Sequence, residues 1–276
     1  MTPRQRGLTR IRATSSSRPD LGELWRFRDL ILVLGVRDVR VRYRQTALGV
    51  AWVVLQPLLA ALVFTFVFRK VAGLSSEGVP YVLFAYSGML AWGLVSGVVS
   101  RMTNSVLTNS QLISKVYVPR LALPLSTIFS SLVDLVVGSV VLVALIAWYG
   151  AGTGLAVLLL PVWLLLLVLL GTGVGLCAAA LVVRFRDIAH AVGFGLQLVL
   201  YGSPVAYATS SLPAAHQAVY SLNPLVGLLD GFRWSLLGTP APDARVIGWA
   251  VAVSVAVFVS GLLVFARRER GFADVI

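Results

Sequence analysis

One acidic residue lies in a place where an acid is costly. Asp134 stands near the middle of segment 121–149, which carries no other charged residue. A charged carboxylate at membrane depth costs at least about 2.5 kcal/mol, so such a residue marks a functional site by default. Two hypotheses follow: proton coupling, or a protonated or hydrogen-bonded helix-packing residue near Ser130, Ser131 and Ser139. The lack of a second acid as relay partner favours the packing role.

A run of arginines offers a second kind of chemistry. Segment 37–44 is strongly basic, and the uncharged run 47–68 that follows is long enough to cross about 30 Å of hydrocarbon. Arginines stay with the anionic cytoplasmic leaflet. Guanidinium groups suit a lipid phosphate or pyrophosphate through paired hydrogen bonds, whereas plain anchoring to anionic lipid explains each arginine equally well. The predicted lipid-phosphate contacts, where a lipid would enter, are Arg40, Arg42, Tyr43 and Arg44.

Aromatic residues are concentrated in the first two long apolar runs and recur in a later one. The apolar faces of sugars stack on aromatic rings, and tyrosine and tryptophan add a hydrogen-bonding group. One hypothesis is an aromatic-lined passage for a glycan, and the alternative is an interfacial belt with lipid-facing bulk. The candidate channel aromatics are Trp52, Phe64, Tyr86, Trp92, Tyr201 and Tyr207.

Several kinds of catalytic chemistry lack their motifs. The sequence has no Gly-Lys dipeptide and therefore no G-x-x-x-x-G-K-[ST] phosphate loop, and it has neither H-E-x-x-H nor G-x-S-x-G. Its 11 acidic residues are scattered, which argues against a metal-dependent glycan-assembly enzyme, and Cys177 is its one cysteine. We therefore predict no catalytic residue, no metal site and no cofactor on this chain.

The composition is that of a polytopic, all-α membrane protein. Of 276 residues, 58% are hydrophobic and only 12% are charged, against about 25% in soluble domains, and the mean hydropathy is +0.88. The net charge of +12 comes from basic residues at the ends of apolar runs, which favours contact with a membrane surface over nucleic acid.

The chain divides into a tail, an interface helix and a membrane domain. Residues 1–20 predict a disordered basic tail. Residues 21–45 predict a cytoplasmic amphipathic interface helix, whose break, if one occurs, is expected at Gly35; the alternative is an ordinary cytoplasmic helix packed on the bundle. Residues 46–276 form the membrane domain, with six predicted spans at 47–68, 81–100, 121–149, 155–183, 189–207 and 246–266.

Two connecting segments stand out from the other, shorter ones. Segment 101–120 is polar and long enough for about two helical turns, so it is either a handle for a cytoplasmic partner or a solvated linker. Segment 208–245 holds two apolar pieces, 214–222 and 225–237, separated by Asn223-Pro224. Each piece is too short to cross the membrane, which predicts a re-entrant hairpin that lines a cavity.

The distribution of basic residues supports this topology. With the N-terminus inside, 19 of the 23 basic residues fall in inside segments and four fall outside. This bias predicts six spans with both termini cytoplasmic.

Three stretches in order resemble ABC-2 type permeases that export polysaccharides, O antigens and teichoic acids. These stretches are RDVRVRYRQTALGVAWVVLQPLLAALVFTFVF, YSGMLAWGLVSGVVSRMTNSVLTNSQLISKVYVPRLALPLS, and LQLVLYGSPVAYATSSLP followed by YSLNPLVGLLDGFRWSLLG. The similarity covers about residues 21–270. Asp230 departs from the glutamate expected in many relatives, but the charge is kept.

The resemblance implies a half-transporter without a motor. Two copies would form the channel, and two separate ABC ATPase subunits, which bind ATP and Mg²⁺, would drive a lipid-linked glycan of the O-antigen, teichoic-acid, capsule or cell-wall type outward. ATPase docking is expected on segments 21–36 and 103–118, through Leu24, Trp25, Arg28, Asn104, Asn109 and Lys115. The outer gate is expected on 214–237, with Asn223, Pro224, Asp230 and Arg233. The competing hypothesis is an ATPase-independent secondary transporter or channel that uses Asp134.

Overall fold

The computed structural model describes residues 21–44, 49–115, 118–152 and 154–274, and the regular elements within these ranges are all helices. The α-helices in chain order are α1 (Leu21–Arg26), α2 (Arg28–Arg44), α3 (Ala51–Phe64), α4 (Tyr81–Thr108), α5 (Ser110–Lys115), α6 (Ala122–Tyr149), α7 (Leu160–Val182), α8 (Ile188–Tyr201), α9 (Ala214–Tyr220), α10 (Pro224–Leu237) and α11 (Ala244–Arg268). The predicted tail, residues 1–20, lies outside the described residues.

Five helical segments are long and apolar enough to cross a membrane. They are Ala51–Val71, Tyr81–Thr108, Ala122–Tyr149, Leu155–Val182 and Ala244–Arg268. The first continues α3 through a π-helical turn, and the fourth begins with a 3₁₀ turn before α7. These segments overlap five of the six predicted spans.

The predicted fifth span is a shorter helix. It was expected over 189–207, but α8 ends at Tyr201, and its 14 residues cover only about 21 Å. The chain turns after α8 because Gly202 and Pro204 do not favour a continued helix. The six-span count and the position of the termini therefore stay predictions.

The structure moves two other predicted boundaries. α4 runs through Arg101 to Thr108, so the segment that connects it to α6 begins about two turns later than expected. The polar sequence conceals this extension, because Met102, Thr103 and Val106 are buried on the inner face of the same helix. The interface helix is interrupted at Phe27, between α1 and α2, and not at Gly35.

Gly35 is instead the place where α2 lies closest to α6. A Cβ atom at Gly35 would lie 2.8 Å from the Cβ of Phe129 and 3.0 Å from the carbonyl oxygen of Ser126. The missing side chain therefore permits a close helix contact and does not break the helix. This packing agrees with the alternative of a helix held on the bundle.

The core is centred on α4. This helix packs against α6 on one side and α7 on the other, and α7 packs in turn against α11. α7 and α11 approach so closely that a Cβ on Gly173 would lie 2.5 Å from the carbonyl oxygen of Val257 and 2.6 Å from the amide nitrogen of Phe258. Small residues allow such backbone contact between membrane helices, where dispersion and not the hydrophobic effect holds helices together.

Candidate functional site

A cavity of about 580 Å³ opens between the end of α2 and helices α3, α4 and α6. Along α4 its lining runs from Met89 to Arg101, which is about 18 Å of helix. Trp52 and Trp92 form an aromatic part of the cavity wall, while Arg101 lies at the polar end of the cavity. The cavity thus joins a charged region to an aromatic one.

Five side chains from three helices meet at the charged end. The Asp134 carboxylate of α6 accepts a hydrogen bond of 2.7 Å from Nη1 of Arg42, at the end of α2. It also accepts from Nη2 of Arg101 on α4 and from the hydroxyl of Tyr43. Nη1 of Arg101 donates to the hydroxyl of Ser131, one turn before Asp134 on α6. We call Arg42, Tyr43, Arg101, Ser131 and Asp134 the charged cluster.

Asp134 is therefore not an isolated acid. Its carboxylate is hydrogen-bonded, as the packing hypothesis expected, but its partners are two guanidiniums and a phenol and not the serines proposed from the sequence. Ser131 reaches Asp134 only through Arg101, and the hydroxyl of Ser139 donates to the carbonyl of Leu135 at 2.7 Å. Charge-assisted hydrogen bonds of this kind are about twice as strong as neutral ones.

Tyr43 acts in the charged cluster as a donor only. Burial, assisted by its hydrogen bond to Asp134, raises the pKa of Tyr43 to about 12. Its hydroxyl therefore stays protonated at physiological pH and keeps donating to the carboxylate.

The four predicted lipid-phosphate residues end up in different environments. Arg42 and Tyr43 face the cavity and join the charged cluster. Arg40 and Arg44 are exposed on α2, and within the described residues neither forms an ion pair. Arg101, which the sequence placed in a loop, joins Arg42 as the second cation of the site.

The predicted channel aromatics also separate into groups. Trp52 and Trp92 line the cavity, and Tyr201 is exposed. Tyr86 is fully buried, and its hydroxyl donates to the carbonyl of Gly138 on α6 at 3.0 Å, so it does not face the cavity in the described fold.

Phe64 and Tyr207 belong to a row of four rings that sequence analysis recognised only in part. Ring centroids are 5.7 Å apart between Phe64 and Phe68, 6.1 Å between Phe68 and Tyr207, and 6.2 Å between Tyr207 and Tyr220. The hydroxyls of Tyr207 and Tyr220 lie 2.8 Å apart and share a hydrogen bond. This aromatic row connects the end of the first span to α9.

The predicted outer-gate residues hold the α9–α10 hairpin in place. Asn223 caps α10 by accepting from the amide of Leu225 at 3.0 Å, and its side-chain amide donates to the hydroxyl of Ser203 at 2.9 Å. Pro224 occupies the first turn of α10, where a missing N–H costs nothing. The Asp230 carboxylate accepts a hydrogen bond of 2.7 Å from Thr209.

Arg233 is the buried anchor of this hairpin. It is only 1% exposed, and its guanidinium donates to the carbonyls of Pro204 and Val205, both at 2.6 Å. The guanidinium also lies 3.9 Å from the centroid of the Phe84 ring. α10 is thereby fixed both to the turn after α8 and to α4.

The two predicted docking segments form one unit. Nη2 of Arg37 on α2 donates to Oδ1 of Asn109, just before α5, at 2.7 Å. An apolar cluster also joins the two segments. It contains Leu34, Val118, Ala122 and Leu123, with Leu24, Leu30, Ile31 and Leu112 at its edge. We call α1, α2 and α5 the interface unit.

The remaining predicted docking residues differ in exposure. Trp25 is 69% exposed, and the guanidinium of Arg28 lies 4.9 Å from its ring centroid. Asn104 is exposed, and its amide donates to the carbonyl of Ser100 one turn earlier on α4. The backbone of Lys115 ends α5, but its side chain lies outside the described part of the structure.

These features define a polytopic helical membrane protein with a cavity that is charged at one end and aromatic at the other. The model of the ABC-2 type transporter family matches residues 29–237, and the chain belongs to that family. It is therefore an integral membrane protein of a transporter.

Characterised relatives align over almost their whole length. The O-antigen export system permease protein RfbA of Myxococcus xanthus is 29% identical over 256 residues, which cover 92% of this chain and 98% of the relative. An RfbA protein of Klebsiella pneumoniae is 26% identical, with 90% and 95% covered. The polysialic acid transport protein KpsM of Escherichia coli is 22% identical, with 86% and 92% covered.

Sequence reasoning missed Arg101, Ser131, Phe68 and Tyr220 as site residues. One signal was available for Arg101. α4 and α6 are antiparallel neighbours, and Arg101 and Asp134 lie on either side of their connection, within about three helical turns of it. Opposite charges at similar depth on antiparallel helices are natural partners, because an unpaired charge at that depth is costly.

Proposed function

We propose that this chain is the membrane subunit of an ATP-driven exporter that moves a lipid-linked polysaccharide from the cytoplasmic to the outer face of a bacterial plasma membrane. The relatives named above are permeases for O antigen and a transport protein for polysialic acid. The proposal extends their chemistry to this chain, with O-antigen, capsule, teichoic-acid or other cell-wall glycans as the substrate class.

The observation that carries the proposal is that charged and aromatic side chains line the same cavity. The guanidiniums of Arg42 and Arg101 provide donors for a phosphate group, and Trp52 and Trp92 provide flat apolar surfaces for sugar rings. A polyprenyl-linked glycan has this order of groups, with a lipid, then phosphate, then sugars. Arg40 and Arg44, which are exposed on the same helix, supply further positive charge for an approaching headgroup.

The aromatic row extends this path toward the hairpin. Phe64, Phe68, Tyr207 and Tyr220 form successive ring contacts between the first span and α9. Rings at this spacing let a sugar chain move from one stacking surface to the next without a tight contact at any one step. The hairpin, anchored by Arg233, would act as the outer gate.

The energy source belongs to another chain in this proposal. The sequence contains no phosphate-loop motif. The interface unit carries the exposed Trp25 and Arg28 as well as the Arg37–Asn109 bond. We propose that two ABC ATPase subunits dock on this unit in a homodimer of the chain. α8 and the turn after it would complete a sixth crossing, which places both termini in the cytoplasm.

The alternative of an ATPase-independent transporter that uses Asp134 makes a different demand. A coupling carboxyl must take up and release a proton in each cycle. The Asp134 carboxylate already accepts from Arg42, Arg101 and Tyr43, and these donors hold it in place. No observation in the described structure favours this alternative.

The test is transport by variants that remain inserted. Arg42→Gln/Arg44→Gln should lower the amount of glycan at the cell surface while the amount of protein in the membrane stays normal. The matched control is Arg267→Gln/Arg268→Gln, which removes the same charge from the end of α11. Normal export by the first pair would remove the phosphate-binding role, and equal losses from both pairs would reduce it to general anchoring.

A further inference from the structure

The charged cluster has more donors than its one carboxylate can use. The guanidinium of Arg42 has five N–H groups, and among the described residues only its bond to Asp134 is formed. Nε of Arg101 is buried and has no hydrogen-bond partner within the described chain. Two cations face one anion, so the charged cluster has one excess positive charge.

Asp134 also occupies the position that an external anion would take. It lies in the cavity wall between guanidiniums from two different helices, and its own side chain is only 20% exposed. Arg42 is the more accessible cation of this arrangement, because its side chain is 42% exposed whereas that of Arg101 is 20% exposed. An anion in the cavity therefore meets Arg42 first.

The Arg42–Asp134 bond is a polar link between the cavity and the interface unit. α2 packs along α6 through Leu34 and Gly35, and Arg42 and Tyr43 tie its C-terminal end to the same helix. Arg37 lies on α2 between these two contacts, and its guanidinium donates to Asn109 next to α5. A change at Arg42 therefore acts on the helix that also holds the predicted docking segment.

We propose that Asp134 is a built-in counter-anion that a lipid phosphate replaces on Arg42. The phosphate or pyrophosphate of a polyprenyl carrier would pair with Arg42. Asp134 would keep Arg101 and Tyr43, so the end of α2 would lose one of the two side-chain bonds that tie it to α6 when the cavity is filled. This inference rests on the proposed function, since it names how the substrate's headgroup would be recognised.

The exchange explains why an acid stands beside a phosphate site. Without Asp134, two guanidiniums would lie unpaired in a partly dry cavity, which is costly. With it, the empty site is neutralised in part, and only a ligand that brings its own negative charge replaces the bond that is lost. A neutral prenol would not replace this bond, so the arrangement selects charged carriers.

The experiment measures ligand binding to the full chain by native mass spectrometry. The probes are farnesyl phosphate, the uncharged farnesol and inorganic phosphate. Asp134→Asn should bind farnesyl phosphate roughly five- to tenfold more tightly, because the partly exposed ion pair no longer competes for Arg42. Arg42→Gln should bind it more weakly, and farnesol binding should be unchanged in both variants.

Asp29→Asn is the matched control. It removes the same charge from α2, the helix that carries Arg42, where Asp29 lies 3.8 Å from Arg28 and about 20 Å along the helix from Arg42. It should bind farnesyl phosphate like the unmodified chain. Equal tightening by Asp29→Asn would overturn the proposal, because general electrostatics would then explain the effect. Equal competition by inorganic phosphate would support the exchange and identify free phosphate as a sufficient ligand.

A thermal-unfolding measurement covers the case in which Asp134→Asn is poorly folded. Farnesyl phosphate should stabilise this variant more than it stabilises the unmodified chain, because the added anion replaces the missing carboxylate, and farnesol should not. If Asp134→Asn binds farnesyl phosphate no better and is not stabilised by it, Asp134 is a structural clamp and the proposal fails. Failure of the proposed function would be seen in a different measurement. The unmodified chain would then support no ATP-dependent glycan export, regardless of how tightly the variants bind farnesyl phosphate.

Discussion

Arg233→Met should destabilise the α9–α10 hairpin strongly. The substitution removes two hydrogen bonds of 2.6 Å from a charged donor to the carbonyls of Pro204 and Val205, each of which contributes about 1.5–3 kcal/mol. It also removes a desolvated cation–π contact with Phe84, which contributes about 2 kcal/mol. These terms overlap, and methionine refills part of the volume, so we expect a net loss of about 3–5 kcal/mol in the free energy of unfolding.

Two further variants make the magnitude interpretable. Arg233→Lys keeps the charge but lacks the planar fork that reaches both carbonyls, so it should show about half the loss of Arg233→Met. Arg245→Met removes an exposed arginine nearby in sequence and should change the unfolding free energy by less than about 0.5 kcal/mol.

The assay is equilibrium unfolding in detergent micelles, followed by helical circular dichroism, with hydrogen exchange over residues 202–213 as a local readout. Arg233→Met should lower the unfolding free energy and speed exchange in this turn before it affects α4. An unfolding free energy within about 0.5 kcal/mol of the unmodified chain would refute the assignment of Arg233 as the buried anchor.

Three more predictions follow from the packing and from the two surfaces. Gly173→Leu should prevent the close contact of α7 and α11 and reduce the yield of folded protein in a detergent-stability assay. Gly193 has open space around it, so Gly193→Leu should give the yield of the unmodified chain, and equal yields from the two variants would contradict the contact. Asn109→Ala should leave membrane insertion intact but lower glycan-stimulated ATP hydrolysis by the chain and its ATPase about two- to tenfold, because the bond from Arg37 on α2 to Asn109 next to α5 is lost. Unchanged hydrolysis would show that this bond does not couple the ATPase to the membrane domain. Tyr220→Leu should slow glycan export without lowering the amount of protein in the membrane, since it removes one ring and one hydroxyl from the aromatic row, and Tyr220→Phe should recover most of the rate because it restores the ring.

Hydropathy was sufficient to predict most of the membrane helices. Apolar runs of more than 18 residues with at most one charged residue predicted five of the long helices to within a few residues at most ends. The division of the hairpin at Asn223-Pro224 was equally clear, because proline begins a helix readily and does not continue one.

Boundaries that depend on packing were harder to predict. Polar residues after Arg101 suggested a loop, yet they lie on the last two turns of α4 because Met102 and Val106 on the same turns are buried. Gly35 suggested a break, yet it is a point of close contact with Phe129. In both cases the deciding contact comes from another helix, which a local pattern does not contain.

The candidate site shows the same limit. The sequence marked Asp134 as unusual and led to the prediction that Arg42 contacts a phosphate, but it did not place the two residues together. Their pairing depends on how α2 lies along α6 and on the extension of α4 that carries Arg101 into the cavity. The aromatic residues were predicted as a group, and only the fold separates the buried Tyr86 from Trp52 and Trp92 at the cavity wall.

The central proposal is that this chain forms a transport path but requires a separate ATPase. The most direct measurement compares glycan translocation into proteoliposomes that contain the purified chain alone with translocation by the chain reconstituted with the ABC ATPase from a neighbouring reading frame. We expect translocation only when the ATPase and ATP are both present. Translocation by the chain alone, without ATP, would contradict the proposal.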